Sequence, residues 1–256
     1  MTSQPLVSDA IATEIPEIDY PDCDGNPMSD NTEQYRWIVM IKENLEIMYA
    51  DNPNVFVAGD LLWYPVRHTQ KRAAPDVMVI LGRPKGRRGS YKQWVEDNIA
   101  PQVGFEILSP SNKDRRGRDS LEEKFEFYET HGLKEYYVYD PDDFVLEGWQ
   151  RYRDRLIPIP SMMDWVSPLL GIRFDWVNGQ ELILLRPDGQ RFLSLVELDY
   201  RFQQSKIQVI QEQQRAEQER KRAEFQRQRA EQESQRADRL AERLRALGID
   251  PDADQP

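Results

Sequence analysis

The sequence predicts an α/β domain, a mixed β-sheet flanked by helices, followed by a long C-terminal helix. Apolar runs of strand length, bounded by turn residues, recur between positions 55 and 186. Two segments carry apolar residues at helical spacing, and no Pro or Gly occurs between Gln190 and Ala246. A sheet covered by helices is the economical way to bury such elements.

The first 30 residues predict an extended N-terminal arm, because they contain four prolines, many acidic residues and no clear period. Ser29, Asp30 and Asn31 are good helix N-caps. The apolar spacing after them predicts an amphipathic helix over 32–50, which the Asn52-Pro53 pair ends.

Strand-like runs follow this helix. The run 55–64 predicts one long strand or two short ones, and 75–81 and 103–108 predict buried strands. A helix including 121–129 should end near His131-Gly132, where glycine suits the C-cap. Further strands are predicted at 136–139, 144–152, 169–176 and 181–186.

The chain changes character at about residue 195. Ala216, Ala223, Ala230 and Ala237 recur every seven residues, but the position three after each is mostly polar. A coiled coil normally has two apolar positions per heptad, so a single charged helix and a self-associating coiled coil both remain open. We expect an arm over 1–30, a folded domain over 31–194, a long charged helix over 195–248 and a disordered tail over 249–256.

The composition narrows the function classes. The chain of 256 residues has one cysteine and two histidines, which excludes an intrachain disulfide and the common Cys/His zinc sites. It has no secretory signal and no apolar run of membrane-spanning length, so we expect a cytoplasmic protein without membrane contact. A net charge of −11 counts against simple electrostatic binding of nucleic acid, although a local basic patch can still bind it.

Two carboxylates occupy unusual positions. Asp76 begins an apolar strand, and Glu106 lies inside another. A charged side chain in a buried strand is costly unless it is paired or binds a metal. Each acid alone could face solvent or pair with an arginine, but two acids on neighbouring strands, followed by Lys124, could hold Mg²⁺ beside a phosphate.

The run from Pro75-Asp76, through Glu106 and the Ser109-Pro110-Ser111-Asn112 turn, to Lys124, Tyr128 and Asp140-Pro141 resembles the Uma-type restriction endonuclease family of the PD-(D/E)XK nuclease superfamily. The resemblance covers about residues 31–200. It implies a restriction-endonuclease-like core, a divalent metal and phosphodiester cleavage in DNA.

The resemblance implies that Asp76 and Glu106 bind the metal and act in catalysis. It departs from the usual signature in one place, because Leu108 stands where a lysine is normal. Lys124, from the following helix, is the substitute that the family implies, and a solvated lysine among glutamates is the alternative. Ser109 and Tyr128 match the family pattern as supporting residues, with turn capping and core packing as their simpler roles.

Two basic runs are candidates for DNA phosphate contacts, with ordinary surface charge as the alternative. Their candidate residues are Arg83, Lys85, Arg87, Arg88, Lys113, Arg115 and Arg116. Lys113 is also a second candidate for the site lysine, and Asp60 is a further acid that could lie near the site.

The first hypothesis is therefore a DNA endonuclease that depends on Mg²⁺ or Mn²⁺, with DNA and a second copy of the chain as partners. The alternative is an inactive nuclease-fold scaffold or binding module that acts through its C-terminal helix. A weaker third alternative is a protein that needs a partner subunit to cut.

Overall fold

The structure is a computed structural model that describes residues 18–23, 25, 29 and 31–247. Most of the predicted N-terminal arm, the predicted helix end at Gly248 and the predicted tail lie outside the described residues. The chain divides into two compact units, residues 1–194 and 195–256.

The elements confirm the predicted α/β class. The helices are α1 (Thr32–Met48), α2 (Arg115–His131) and α3 (Leu195–Ala246). The strands are β1 (Val55–Gly59), β2 (Trp63–Tyr64), β3 (Val77–Leu81), β4 (Tyr91–Lys92), β5 (Val103–Ile107), β6 (Glu135–Asp140), β7 (Val145–Tyr152), β8 (Arg155–Pro158), β9 (Trp165–Val166), β10 (Arg173–Asp175) and β11 (Ile183–Leu185). Short 3-10 turns span Gln93–Val95 and Pro110–Lys113.

The main sheet is mixed, as predicted. Its six strands lie in the order β1-β3-β5-β6-β7-β8, and only β5 and β6 pair in parallel. A smaller sheet has the order β11-β10-β9, and β2 pairs with β4. The parallel β5-β6 pair needs a crossover connection, and α2 supplies it.

Helix α1 covers one face of the main sheet. The side chain of Asn31 caps it by accepting a hydrogen bond from the backbone N–H of Gln34 at 2.8 Å. Its apolar stripe, which includes Trp37 and Ile41, packs in one core cluster with sheet residues such as Val79 and Phe105. The helix predicted over 32–50 ends two residues earlier, at Met48.

Helix α2 belongs to the core cluster on the other face. Its buried Tyr128 packs with Met78 of β3 and with Tyr136 and Val138 of β6. The side chain of Asp114 caps its start, and Gly132, with φ of 94°, ends it as predicted. The core therefore has two layers, one on each side of the main sheet.

Helix α3 is highly charged over its 52 residues, and none of them is buried. Ion pairs at four-residue spacing join Lys221 to Glu217 at 3.4 Å and Arg229 to Glu233 at 3.1 Å. Such pairs support a helix in water. Within the described residues, no helix is both long and apolar enough to cross a membrane.

Candidate active site

The strands β3 and β5 bring the two predicted carboxylates together. Val77 pairs with Phe105 in antiparallel register, so Asp76, immediately before β3, comes opposite Glu106. The backbone N–H of Ile107 donates a hydrogen bond to Oδ2 of Asp76 at 2.6 Å. Because side chains alternate along a strand, Phe105 and Ile107 pack on the α1 side and Glu106 faces α2.

Two side chains of α2 reach Glu106 from above the sheet. Nζ of Lys124 lies 2.6 Å from Oε2 of Glu106, and the hydroxyl of Tyr128 donates to Oε1 at 2.7 Å. The two residues are four apart and therefore lie on the same face of the helix. The structure thus brings together Asp76, Glu106, Lys124 and Tyr128.

This cluster contains two acids and one amine, and it is costly to ionise both acids together. Burial, and next to it the carboxylate of Glu106, raise the pKa of Asp76 to about 8. Burial lowers the pKa of Lys124, but the carboxylates of Glu106 and Asp76 outweigh it, so the net shift is upward. Lys124 is therefore an ammonium ion at neutral pH.

The cluster lies in a cleft of about 750 Å³. Helix α2 lines it with Glu123, Lys124 and Glu126 among others, and the segment before β3 lines it with Lys71 and Arg72. Asp60, which follows β1, also lines it and has a left-handed backbone with φ of 46°. Its N–H donates to the backbone oxygen of Asp76 at 3.1 Å, so this acid does lie near the cluster.

The donor set fits a hard divalent cation. Asp76 and Glu106 offer carboxylate oxygens, which suit Mg²⁺ or Mn²⁺, and a cation would offset the cost of ionising both acids. Within the described residues, no group of three or more acids, histidines or cysteines could hold a metal. A cation here would thus take two protein carboxylates and complete its shell with water and substrate oxygens.

The other predicted residues lie elsewhere. Ser109 is fully buried in its turn, where its N–H donates to Oδ1 of Asn112 at 2.8 Å and its hydroxyl lies 2.8 Å from that of Ser111. This is the capping arrangement that the sequence suggested. Lys113 pairs with Asp140 at 3.0 Å and Asp143 at 2.8 Å, and it is not among the residues that line the cleft.

None of the seven predicted DNA-contact residues, all of which the structure describes, lines the cleft. Arg83 and Arg88 both pair with Glu96, and Lys85 pairs with Glu46 at 2.8 Å. Arg87, Arg115 and Arg116 are exposed. Contact between these residues and DNA remains a prediction.

The sequence reasoning did not identify Lys71 and Arg72, which the structure places in the cleft. Their signal was their position, since Lys71 lies five and Arg72 four residues before Asp76 in the same connecting segment. It also missed Gln34, a buried residue of α1 whose side-chain amide donates to the backbone oxygen of Ile107 at 2.8 Å.

The comparison with family models identifies one family. The model of the family described as "Uma2: Putative restriction endonuclease" matches residues 26–177, which include Asp76, Glu106 and Lys124. Among solved structures, a crystal structure of a putative nuclease belonging to DUF820 from Anabaena variabilis is similar, with a TM-score of 0.40 and 14% identity over 54% of this chain and 72% of that chain. No curated protein matches the chain.

Proposed function

This chain belongs to the Uma2 family of putative restriction endonucleases, and on that premise we propose that it is a metal-dependent endonuclease that hydrolyses phosphodiester bonds in DNA. The observation that carries the proposal is the cluster in the cleft, in which the half-buried Lys124 and the buried Tyr128 both contact Glu106 next to Asp76. Fold alone would not be sufficient, because a nuclease fold can lack activity.

In this proposal Asp76 and Glu106 hold Mg²⁺ or Mn²⁺. The bound cation would polarise the phosphate and lower the pKa of a coordinated water. Oδ2 of Asp76 is oriented by the N–H of Ile107, and Glu106 is oriented by the hydroxyl of Tyr128. These hydrogen bonds fix both carboxylates before any ligand binds, which reduces the cost of ordering the site.

Lys124 acts as a positive charge in the proposed reaction. Without a bound metal, the nearby carboxylates outweigh burial and raise its pKa, which favours the ammonium form. An ammonium group next to the metal ligands can donate a hydrogen bond to the attacking water or to a phosphate oxygen. Donors placed where negative charge develops stabilise the transition state most strongly.

Nicking of supercoiled plasmid in Mg²⁺ or Mn²⁺ tests the proposal. We expect Asp76→Asn, Glu106→Gln and Lys124→Met each to lower the rate on the order of 100-fold or more, because each removes either a proposed metal ligand or the proposed donor to the reacting phosphate. Glu135→Gln is the matched control. Glu135 is a buried acid on the neighbouring strand β6, but it contacts Tyr137 and Ser167 and does not line the cleft.

Calorimetry provides a second measurement that does not depend on cleavage. Metal binding should be present in the wild type and in Glu135→Gln and absent in Asp76→Asn. Cleavage by Asp76→Asn at the wild-type rate, with a folded protein, would contradict the proposal.

A second candidate function is a scaffold that acts through α3 without cutting DNA. The observation that favours it is that α3 runs for 52 residues and buries none of them. A folded wild-type protein that neither binds divalent metal nor nicks plasmid would select this candidate.

A further inference from the structure

Two elements line the cleft with opposite charge. Near Lys124, α2 contributes Glu123 and Glu126, so its side of the cleft is predominantly acidic. In the segment before β3, residues 71–74 contribute Lys71 and Arg72 and no acid, and the acid Asp76 follows them. A polyanion that enters the cleft is therefore attracted by the segment and repelled by much of α2.

Lys71 and Arg72 form no ion pair within the part of the chain that the structure describes. Among the described residues, no carboxylate lies within ion-pair distance of Lys71 or Arg72, whereas Lys85 and Arg88 are each paired. The charge of Lys71 acts on another residue of the cleft, because burial lowers the pKa of His131 and the ammonium group of Lys71 lowers it further. His131 itself lines the cleft.

The segment is also held in place before any ligand binds. Backbone hydrogen bonds join Ala73 to Trp63, and the Arg72 guanidinium lies 5.9 Å from the centre of the Tyr64 ring. The hydroxyl of Tyr20 accepts from the N–H of His68 at 2.7 Å, and the Tyr64 hydroxyl donates to the backbone oxygen of Pro21 at 2.6 Å. A phosphate contact made here therefore requires little ordering of the backbone.

We propose that Lys71 and Arg72 contact the phosphates of the bound nucleic-acid strand, and that the basic residues from Arg83 to Arg88 do not contact that strand. The inference rests on the proposed function, since it names the surface that binds the substrate of the same site. It assigns binding to residues that sequence patterns did not indicate. Contacts of this kind position a strand without reading its bases.

Fluorescence anisotropy with a labelled short DNA duplex tests the assignment. Measurements in EDTA prevent metal-dependent cleavage, and a salt titration counts phosphate contacts. Loss of two contacts in Lys71→Gln/Arg72→Gln should weaken binding and reduce the slope of log affinity against log salt by about 2, at roughly 0.9 per contact. Lys85→Gln/Arg87→Gln, with the same change in net charge, should bind as the wild type does.

A third variant tests the asymmetry of the cleft. Glu123→Gln/Glu126→Gln removes two negative charges from α2 and should strengthen binding. Circular dichroism establishes that each variant is folded.

Three results would overturn the inference: wild-type affinity in the Lys71/Arg72 variant, equal losses in both lysine–arginine variants, or no binding of DNA by the wild type. Failure of the proposed function is distinguishable from these. A wild type that binds DNA through Lys71 and Arg72 but nicks no plasmid in either metal would support the proposed binding surface and contradict the proposed nuclease activity.

Discussion

Ionisation of Asp76 is costly in the protein without a bound metal. Burial raises its pKa to about 8, whereas the pKa in the unfolded chain is about 4. The folded protein therefore binds more protons than the unfolded chain between these values. Proton binding by Asp76 therefore stabilises the folded protein fully below pH ~4, and this stabilisation is lost as the pH rises towards ~8.

The substitution Asp76→Asn should remove this loss of stability at rising pH. The asparagine oxygen can still accept from the N–H of Ile107, but the side chain no longer ionises. In EDTA we expect the free energy of unfolding of the wild type to fall with pH, at a slope of up to ~1.4 kcal/mol per unit, and that of the variant to fall much less. Urea unfolding at a series of pH values measures both.

Mg²⁺ should make the wild type more stable than Asp76→Asn, because a metal that binds only the folded wild type stabilises it. Asp154→Asn, in the exposed turn between β7 and β8, is the control and should follow the wild type. Parallel curves for wild type and Asp76→Asn would mean that Asp76 does not bear this cost.

Single residues differ in how well the sequence predicts them. Glu106 was predictable because a charge inside an apolar strand violates the strand's pattern. Lys124 was suggested by its position after the two acids and by the family resemblance, whereas its own surroundings gave no signal, because it stands among glutamates as any solvated lysine could. The ion pairs of Lys85 and Arg88 were not predictable, since their partners Glu46 and Glu96 are 39 and 8 residues away along the chain.

At the scale of elements, α2 is positioned by a close contact at its first turn. Gly117 lies so near the preceding 3-10 turn that an added Cβ would be 2.2 Å from the backbone oxygen of Ser111. Since the obstructing atoms are backbone, a side chain at Gly117 requires the turn and the helix to move apart. The same helix carries Lys124 and Tyr128 to Glu106.

Gly117→Ala should therefore destabilise the protein, by about 1–3 kcal/mol for an overpacked contact. The sign is informative, because alanine in an unobstructed helix would stabilise by about 1 kcal/mol. Plasmid nicking should also slow as Lys124 is displaced. Arg116→Ala, at an exposed position of the same turn, is the control for thermal unfolding, and a Gly117→Ala protein more stable than the wild type would refute the close contact.

Elements were predictable where a period and a boundary signal coincided. Helix α1 has both, with an apolar stripe, the Asn31 cap and the Asn52-Pro53 break. The start of α2 at Arg115 was not predicted, because its first turns carry charged residues and no apolar period. The two-residue strands β4 and β9 were missed, because two residues cannot establish an alternation.

At the scale of the whole molecule, self-association through α3 remains a prediction. Its alanine stripe is narrow, and Glu219, Gln226 and Glu233 occupy the second heptad position where a stable coiled coil has apolar residues. Any pairing through the central part of this helix should therefore be weak.

Widening the stripe tests whether it is a pairing surface. Ala216→Leu/Ala223→Leu/Ala230→Leu should dimerise at lower concentration than the wild type, because leucine adds apolar area to the seam. Sedimentation equilibrium measures the change. The control variant Gln214→Leu/Gln228→Leu/Gln235→Leu adds leucines on a different stripe of the helix. An equal shift of its dimerisation constant would show that any added apolar surface promotes association, so that the alanine stripe is not a specific pairing surface.

The two halves of the proposed active site belong to different parts of the fold. Asp76 and Glu106 come from the sheet, whereas Lys124 and Tyr128 arrive together on α2. Local opening of that helix would remove both at once and leave the carboxylates in place. A newly made chain of the proposed enzyme would then be harmless to the DNA of its own cell until the helix has docked, so that completion of folding itself controls when cutting can begin.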